Sequence, residues 1–290
     1  MKPAAFDYVR PQNLEEALQL ISTLEGAKVL AGGQSLMPML NMRFVQPDHV
    51  IDVGRLDLSY IRLDGGQLRI GATTRQRDIE LSPLVRQHTP LFVEALQYVG
   101  HVQTRNRGTI GGSLCHLDPS AELPAACTTM DAEIVVQSAA RGVRAVPMSE
   151  FAIAYMTPAI EHDELVTEVR IPIWSTGHGY AVMEFSRRRG DFAIALAAVM
   201  VDVSGAMIER AAITVGGLAI APTRIAAAEQ MLTGRDRSEI DIEAAAALCG
   251  EIETASDTQA SSAYRQQLAR VMAARAINLA LQRATRKAAP

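Results

Sequence analysis

Two familiar phosphate-binding signatures are missing from this 290-residue chain: neither G-x-G-x-x-G nor G-x-x-x-x-G-K-[ST] occurs. A Rossmann unit and a P-loop are therefore excluded as ways of holding a nucleotide. Cysteine is scarce, with Cys115, Cys127 and Cys249 far apart in the chain. An odd, dispersed set builds no disulfide framework and predicts reduced thiols. It also leaves the chain unable to hold an iron–sulfur cluster unaided, since such clusters ordinarily take four thiolates. Basic residues are not clustered: 28 Lys and Arg face 32 Asp and Glu, for a net charge of −4. That excludes a nucleic-acid footprint, which needs a concentrated basic face. Arg187-Arg188-Arg189 is the one basic run, either a solvated strand end or a docking point. No apolar stretch approaches the ~18 residues of a membrane span, and the N-terminus shows no apolar signal region. The expected location is cytoplasmic. Repeats and low-complexity tracts are also absent.

What is present is the composition of an ordinary globular protein, 48% hydrophobic and 21% charged, long enough for two or three compact units. In residues 1–55, Asn13 and Glu16 have the spacing of a capping box, and Leu14, Ala17, Leu18, Ile21 and Leu24 repeat at helical period. Strands are expected at 28–31 and 49–53. Residues 56–175 read as strands at 67–72, 133–137, 143–146 and 165–171, with helices at 91–99 and 123–129. Residues 176–290 read as strands at 181–185, 192–203 and 211–215, a hairpin turn at Ser204-Gly205, and then three helices. Strands first and helices after implies α+β.

The most informative segments are Ala31-Gly32-Gly33-Gln34-Ser35 and Thr109-Ile110-Gly111-Gly112-Ser113. Paired glycines let a backbone turn through positive φ and approach another molecule. Successive amides in such a turn form a nest for anionic oxygen. Two nests suit a ligand with two phosphates, such as a dinucleotide; ordinary tight turns are the bland alternative. Beyond the second pair, Cys115, His116, Asp118 and Glu122 are potential metal ligands, but no C-x-x-C or H-x-x-x-H pairing supports a metal. A Ser113/His116 hydrolase lacks the G-x-S-x-G elbow. Asp118 or Glu122 reads better as an acceptor for sugar hydroxyls. Asp191-Phe192, after Gly190, is either a hairpin end or a contact to a flat ring system.

Ala31-Gly-Gly-Gln-Ser-Leu, Arg105-Asn-Arg-Gly-Thr-Ile-Gly-Gly-Ser-Leu and Arg189-Gly-Asp-Phe-Ala together resemble the FAD-binding medium subunit of molybdenum hydroxylases. This family includes the carbon monoxide dehydrogenase flavoprotein and the xanthine dehydrogenase flavin domain. The resemblance extends to Ile51-Asp-Val, Ile70-Gly-Ala-Thr-Thr, Asp118-Pro-Ser-Ala-Glu-Leu-Pro and Ser262-Ala-Tyr-Arg. It implies a vanillyl-alcohol-oxidase (PCMH)-type fold: two small α+β subdomains over 1–55 and 56–175, and a C-terminal α+β domain over 176–290 with a three-stranded sheet and helices. It implies FAD held by Val29, Leu30, Ala31, Gly32, Gly33, Gln34, Ser35 and Leu36, by Val102, and by Thr109, Ile110, Gly111, Gly112 and Ser113. His116, Asp118, Glu122, Leu165, Asp191 and Phe192 complete the implied contacts. Ala31–Ser35 and Thr109–Ser113 would cradle the pyrophosphate, Glu122 would bind flavin hydroxyls, Leu165 would make an apolar contact, and Asp191 and Phe192 would lie beside the isoalloxazine. Some relatives carry a Lys near the flavin around Met183-Glu184, which this chain lacks. No acid–base residue is implied as catalytic.

The implied activity is that of an oxidoreductase subunit. It would receive electrons from two 2Fe-2S clusters on a small subunit and pass them to an external acceptor. A large subunit would hold the molybdenum cofactor, and the assembly would be a dimer of heterotrimers. The rivals are a stand-alone flavin oxidase, whose extra substrate domain is missing at this length, and a cofactor-free assembly subunit.

Overall fold

A computed structural model describes residues 1–284; residues 285–290, the end of the third expected region, lie outside it. The first layer contains β1 (Asp7–Val9), α1 (Leu14–Thr23), β2 (Ala27–Leu30), α2 (Leu36–Asn41) and β3 (His49–Asp52). The three strands form a parallel sheet in the order β1-β3-β2. Asn13 caps α1, its Oδ1 accepting from the Glu16 amide at 2.9 Å. Glu16 turns back to the Gln12 amide at 2.6 Å, one residue before the Asn13 amide that a capping box would use. Ala17, Leu18 and Ile21 pack on Ile51, Val53 and Leu165. β1 is too short to show an alternating pattern in sequence.

The second unit contains β4 (Ile61–Asp64), β5 (Gln67–Gly71), α3 (Gln76–Leu81), α4 (Pro83–His88), α5 (Pro90–Leu96), α6 (Val102–Arg105), α7 (Ile110–His116), α8 (Glu122–Thr129), β6 (Glu133–Ser138), β7 (Gly142–Pro147), β8 (Ala152–Ala154), β9 (Thr157–Pro158) and β10 (Glu164–Pro172). An antiparallel five-stranded sheet, β4-β5-β10-β6-β7, packs against these helices. Helices α3, α4, α6 and α7 are four to seven residues long, too short to display a helical period.

The third unit contains β11 (Gly179–Phe185), β12 (Ala195–Ser204), β13 (Met207–Gly216), β14 (Thr223–Arg224), α9 (Ala226–Leu232), α10 (Ile242–Leu248) and α11 (Ser262–Arg283). Its sheet has four strands, because the two-residue β14 adds an edge to the three expected. The 192–203 run becomes a strand only from Ala195, leaving Phe192 outside it and 57% exposed. β12 is apolar from Ala195 to Val201 because both faces are covered there. Ala195, Ala197, Val199 and Val201 meet the C-terminal helices, while Ala198 and Met200 join the core of the second unit. Such a run on both faces marks a strand buried on both sides. The expected hairpin is present, with Gly205 at φ +61°. The interface between the second and third units is also polar. Asp131 takes Arg210 and Arg224, each at 2.6 Å, and the Arg210 guanidinium lies 3.9 Å from the Trp174 ring centroid.

Candidate functional site

The turn after β2 enters α2. Gly33 lies at φ +72°, where a side chain is strained. A Cβ on Gly32 would fall 2.3 Å from the Arg107 carbonyl oxygen and 2.8 Å from the Gly108 Cα. The two glycine segments, some 75 positions apart in sequence, therefore abut in space. Arg75 reinforces the contact by donating to the Arg107 carbonyl, and the Gln76 amide donates to Gly108 O at 2.8 Å. Among the described residues, the amides of 32–36 have no protein acceptor; the first bond of the turn is Met37 N–H to Gly33 O at 3.3 Å. The Ser35 side chain makes no capping bond.

The second glycine pair differs from the expectation of a matching nest. Neither Gly111 nor Gly112 has positive φ; both lie in the first turn of α7. Their amides are consumed internally. Gly111 N–H donates to Ala72 O at 2.9 Å and Gly112 N–H to Thr109 Oγ1 at 3.1 Å. Ile110 and Ser113 donate to Thr74 O and Thr109 O. The reason is the Thr109 N-cap, whose hydroxyl satisfies an amide that a helix start otherwise leaves free. The glycines here serve close approach. A Cβ on Gly111 would sit 2.8 Å from Ala72, whereas one on Gly112 would meet only Thr109 Oγ1 within 4 Å. One side of Gly112 is thus open.

Leu117 ends α7 in the left-handed conformation, φ +49°. That is uncommon for a non-glycine residue, and it redirects the chain toward 118–122. Asp118 spends its Oδ1 on the Ser120 amide at 2.8 Å, so it shapes this turn as well as facing outward. Burial holds the His116 imidazole below its usual pKa, although Asp118 opposes this. Cys115 is exposed at the surface, yet the protein packed around its sulfur pushes the thiol up to about 12.

Glu122 opens α8 and is 6% exposed. Burial first, and then the Glu184 carboxyl, push it up to about 8. Glu184, on β11, is pushed up to about 7 by burial, and its Oε2 is buried without a hydrogen-bond partner. The carboxylate expected at Glu122 is therefore modified: burial and Glu184 favour its protonated, uncharged form. In sequence, 183–184 stood out only as a place where some relatives carry a Lys; the buried acid at Glu184 is what the structure adds.

Gly190, at φ +87°, places its Cα hydrogen against His101 and the Gly100 carbonyl; a Cβ there would lie 2.9 Å from His101 Cε1. Asp191 and Phe192 are thereby brought beside the start of α6, where Val102 is 46% exposed. Arg187, Arg188, Gly190, Asp191, Phe192 and Gln259 line a cleft of about 540 Å³. Val29 and Leu30 form the half-buried end of β2, and Leu36 begins α2. Leu165 lies in the core with Leu18, Ile21 and Val53 at 6% exposure, a position that packing explains.

The 31–36 turn leaves amides free for anionic oxygen, Glu122 is a buried carboxyl group able to meet hydroxyls, and Phe192 presents an exposed phenyl ring beside the 187–192 cleft. These are the functions that an extended dinucleotide requires.

Comparison with known proteins agrees with this chemistry. Residues 4–174 match the family described as the FAD-binding domain in molybdopterin dehydrogenase. Residues 180–280 match the carbon monoxide dehydrogenase flavoprotein C-terminal domain. The chain is 38% identical to the caffeine dehydrogenase subunit beta of Pseudomonas sp. strain CBB1, over 98% of this chain and 97% of that protein. It is 40% identical to the 6-hydroxypseudooxynicotine dehydrogenase complex subunit alpha of Paenarthrobacter nicotinovorans, with the same coverage. A solved chain of carbon monoxide dehydrogenase from Hydrogenophaga pseudoflava superposes with a TM-score of 0.95 at 36% identity, over 98% of this chain and all of that one. Family match, relatives and superposition extend over nearly all of the sequence, and the chain belongs to the FAD-binding flavoprotein subunits of the molybdopterin dehydrogenases.

Proposed function

We propose that this chain is the electron-transferring medium subunit of a three-subunit molybdenum hydroxylase, carrying electrons from a partner's iron–sulfur clusters to an external acceptor. The observation that carries this reading is the docking of the 31–36 turn, whose amides have no protein acceptor, on Arg107 and Gly108, directly before the Thr109-capped start of α7. Backbone 31–36, with the Thr109 and Ser113 hydroxyls, binds the pyrophosphate. His116, Asp118 and Glu122 orient the sugar and ribityl hydroxyls. Val29, Leu30, Val102 and Leu165 provide apolar surroundings, and Asp191 and Phe192 face the isoalloxazine. FAD, when bound, supplies the redox chemistry; the protein provides position and electrostatics. With three cysteines, the chain leaves cluster binding to a small subunit with two 2Fe-2S clusters and substrate oxidation to a large molybdenum-cofactor subunit. A dimer of heterotrimers is the assembly expected of such a symmetric complex. Its free thiols favour a reducing, cytoplasmic setting.

Two measurements test this reading. Purification of the tagged chain from its native source should recover two further subunits, one with iron and one with molybdenum. Full substrate turnover by the chain alone would overturn it. Asp191→Asn should raise the flavin midpoint potential at matched FAD occupancy, because a carboxylate beside the ring disfavours a reduced, anionic flavin. The expected rise is tens of millivolts, about 30 mV for each ~1.4 kcal/mol of repulsion relieved in a two-electron couple. Equal midpoints would return Asp191 to a purely structural turn.

A further inference from the structure

Arg265 is a charged residue buried beneath the C-terminal sheet, 7% exposed, on a helix that contributes nothing directly to the cleft. Its Nη1 donates to two carbonyls from different strand ends, Ile194 O at 2.8 Å and Gly217 O at 2.9 Å. Its Nη2 donates to Asp257 Oδ2 at 2.7 Å. A buried guanidinium is costly unless its donors are taken, and here the acceptors come from three separate segments.

Each segment leads to the cleft. Ile194 lies two residues beyond Phe192 and donates its own amide to Phe185 O at 2.8 Å. Gly217, at φ +84°, donates its amide to Pro119 O at 2.8 Å, gripping the turn between Asp118 and Glu122. Neighbouring Gly216 is close enough that a Cβ would lie 3.1 Å from the same Pro119 oxygen. Asp257 accepts from the Gln259 amide at 2.8 Å and the Ala260 amide at 3.0 Å through its other oxygen, and Gln259 lines the cleft with Phe192. The small cluster of Ala125, Ala193 and Leu196 packs α8 against the segment that Arg265 holds.

We propose that Arg265 is a positioning residue: one guanidinium sets the register between the 118–122 turn of the second unit and the 191–194 and 257–259 segments of the third, and so fixes the shape of the flavin site. The planar fork is suited to this because it presents several donors in fixed directions, whereas a lysine ammonium is a single point of charge on a flexible stem. The proposal rests on the reading that 118–122 and 191–192 contact FAD.

The test uses full-length chain, stripped of flavin and titrated with FAD, alongside hydrogen exchange of the flavin-free protein. Arg265→Lys should loosen FAD binding about tenfold or more, the loss expected when hydrogen bonds to a charged group are removed. It should also raise exchange at the Gly217 and Asp191 amides. Asp257→Asn, at an exposed position that leaves the helix intact, should shift both readouts in the same direction by less, and it decides the matter where Arg265→Lys does not fold. Leu268→Ala, a core truncation on the same helix, should lower the melting temperature without changing FAD affinity. A positional role is overturned if Arg265→Lys and Asp257→Asn leave FAD affinity and the two amides unchanged, or if Leu268→Ala weakens FAD equally. Gly112→Val, measured in parallel, separates the two ideas. If it retains FAD, the site reading fails while the exchange data still decide whether Arg265 orders these segments.

Discussion

A Gly112→Val chain is expected to fold and to purify without flavin. The backbone at Gly112 is ordinary helix rather than left-handed, so valine meets no conformational strain, and helix propensity favours it slightly over glycine. The added Cβ has one protein neighbour within 4 Å, Thr109 Oγ1 at 2.8 Å. Displacing that hydroxyl weakens an N-cap, a cost of about 1 kcal/mol, which a domain of this size tolerates. The remaining bulk projects to the open side of the turn, where the proposed pyrophosphate site lies. We expect FAD affinity to fall at least ~100-fold, equivalent to about 2.8 kcal/mol, with far-ultraviolet circular dichroism unchanged. Normal FAD content in the folded variant would remove 109–113 from the site. Gly32→Ala is the contrasting case: its Cβ would collide with the Arg107 carbonyl at 2.3 Å, parting the two loops, so stability and flavin should be lost together.

The flavin-free chain should lose stability as pH rises from about 4.5 to about 8, where most proteins hold theirs. Glu122 is pushed up to about 8, chiefly by burial and then by Glu184, and Glu184 to about 7 by burial. Folded-state values raised above the unfolded carboxylate range mean that the native chain binds protons the unfolded chain has released. The stabilisation is therefore complete below the unfolded pKa and is lost as pH climbs through the folded values. One such proton contributes a slope of up to ~1.4 kcal/mol per pH unit, and the melting temperature moves by about 2–4 °C per kcal/mol in a chain of this size. Glu122→Gln, neutral and isosteric, should flatten most of this slope in thermal melts between pH 5 and pH 8; an unaltered profile would sink the assignment. The same chemistry corrects the expectation for binding. Glu122→Ala should weaken FAD by about 1–3 kcal/mol, while Glu122→Gln should weaken it less, because burial already favours the uncharged form of the group.

The α+β class, the helix that starts at Leu14, the buried strand β12 and the hairpin at Gly205 were all legible in sequence. Their signals are local: a capping residue, an apolar period, a continuous apolar run and a turn glycine each act within a few positions. The cofactor was legible through the resemblance of whole motifs to a flavoprotein family, whereas the expectation of two matching nests held only for 31–35. Tertiary structure alone decided the rest. The short helices α3, α4, α6 and α7 form because neighbours cover them, not because their own sequences favour helix strongly. The two glycine pairs look alike in sequence, yet one is a left-handed turn with open amides and the other a capped helix start, a distinction made by Thr74, Ala72 and Thr109. That Gly32 rests on Arg107, that Glu122 faces Glu184, and that Arg265 joins segments from 194, 217 and 257 are contacts over long sequence separations. Composition and spacing carry no information about such contacts, because charge, burial and hydrogen-bond satisfaction at each of these groups are set by neighbours that only folding brings near.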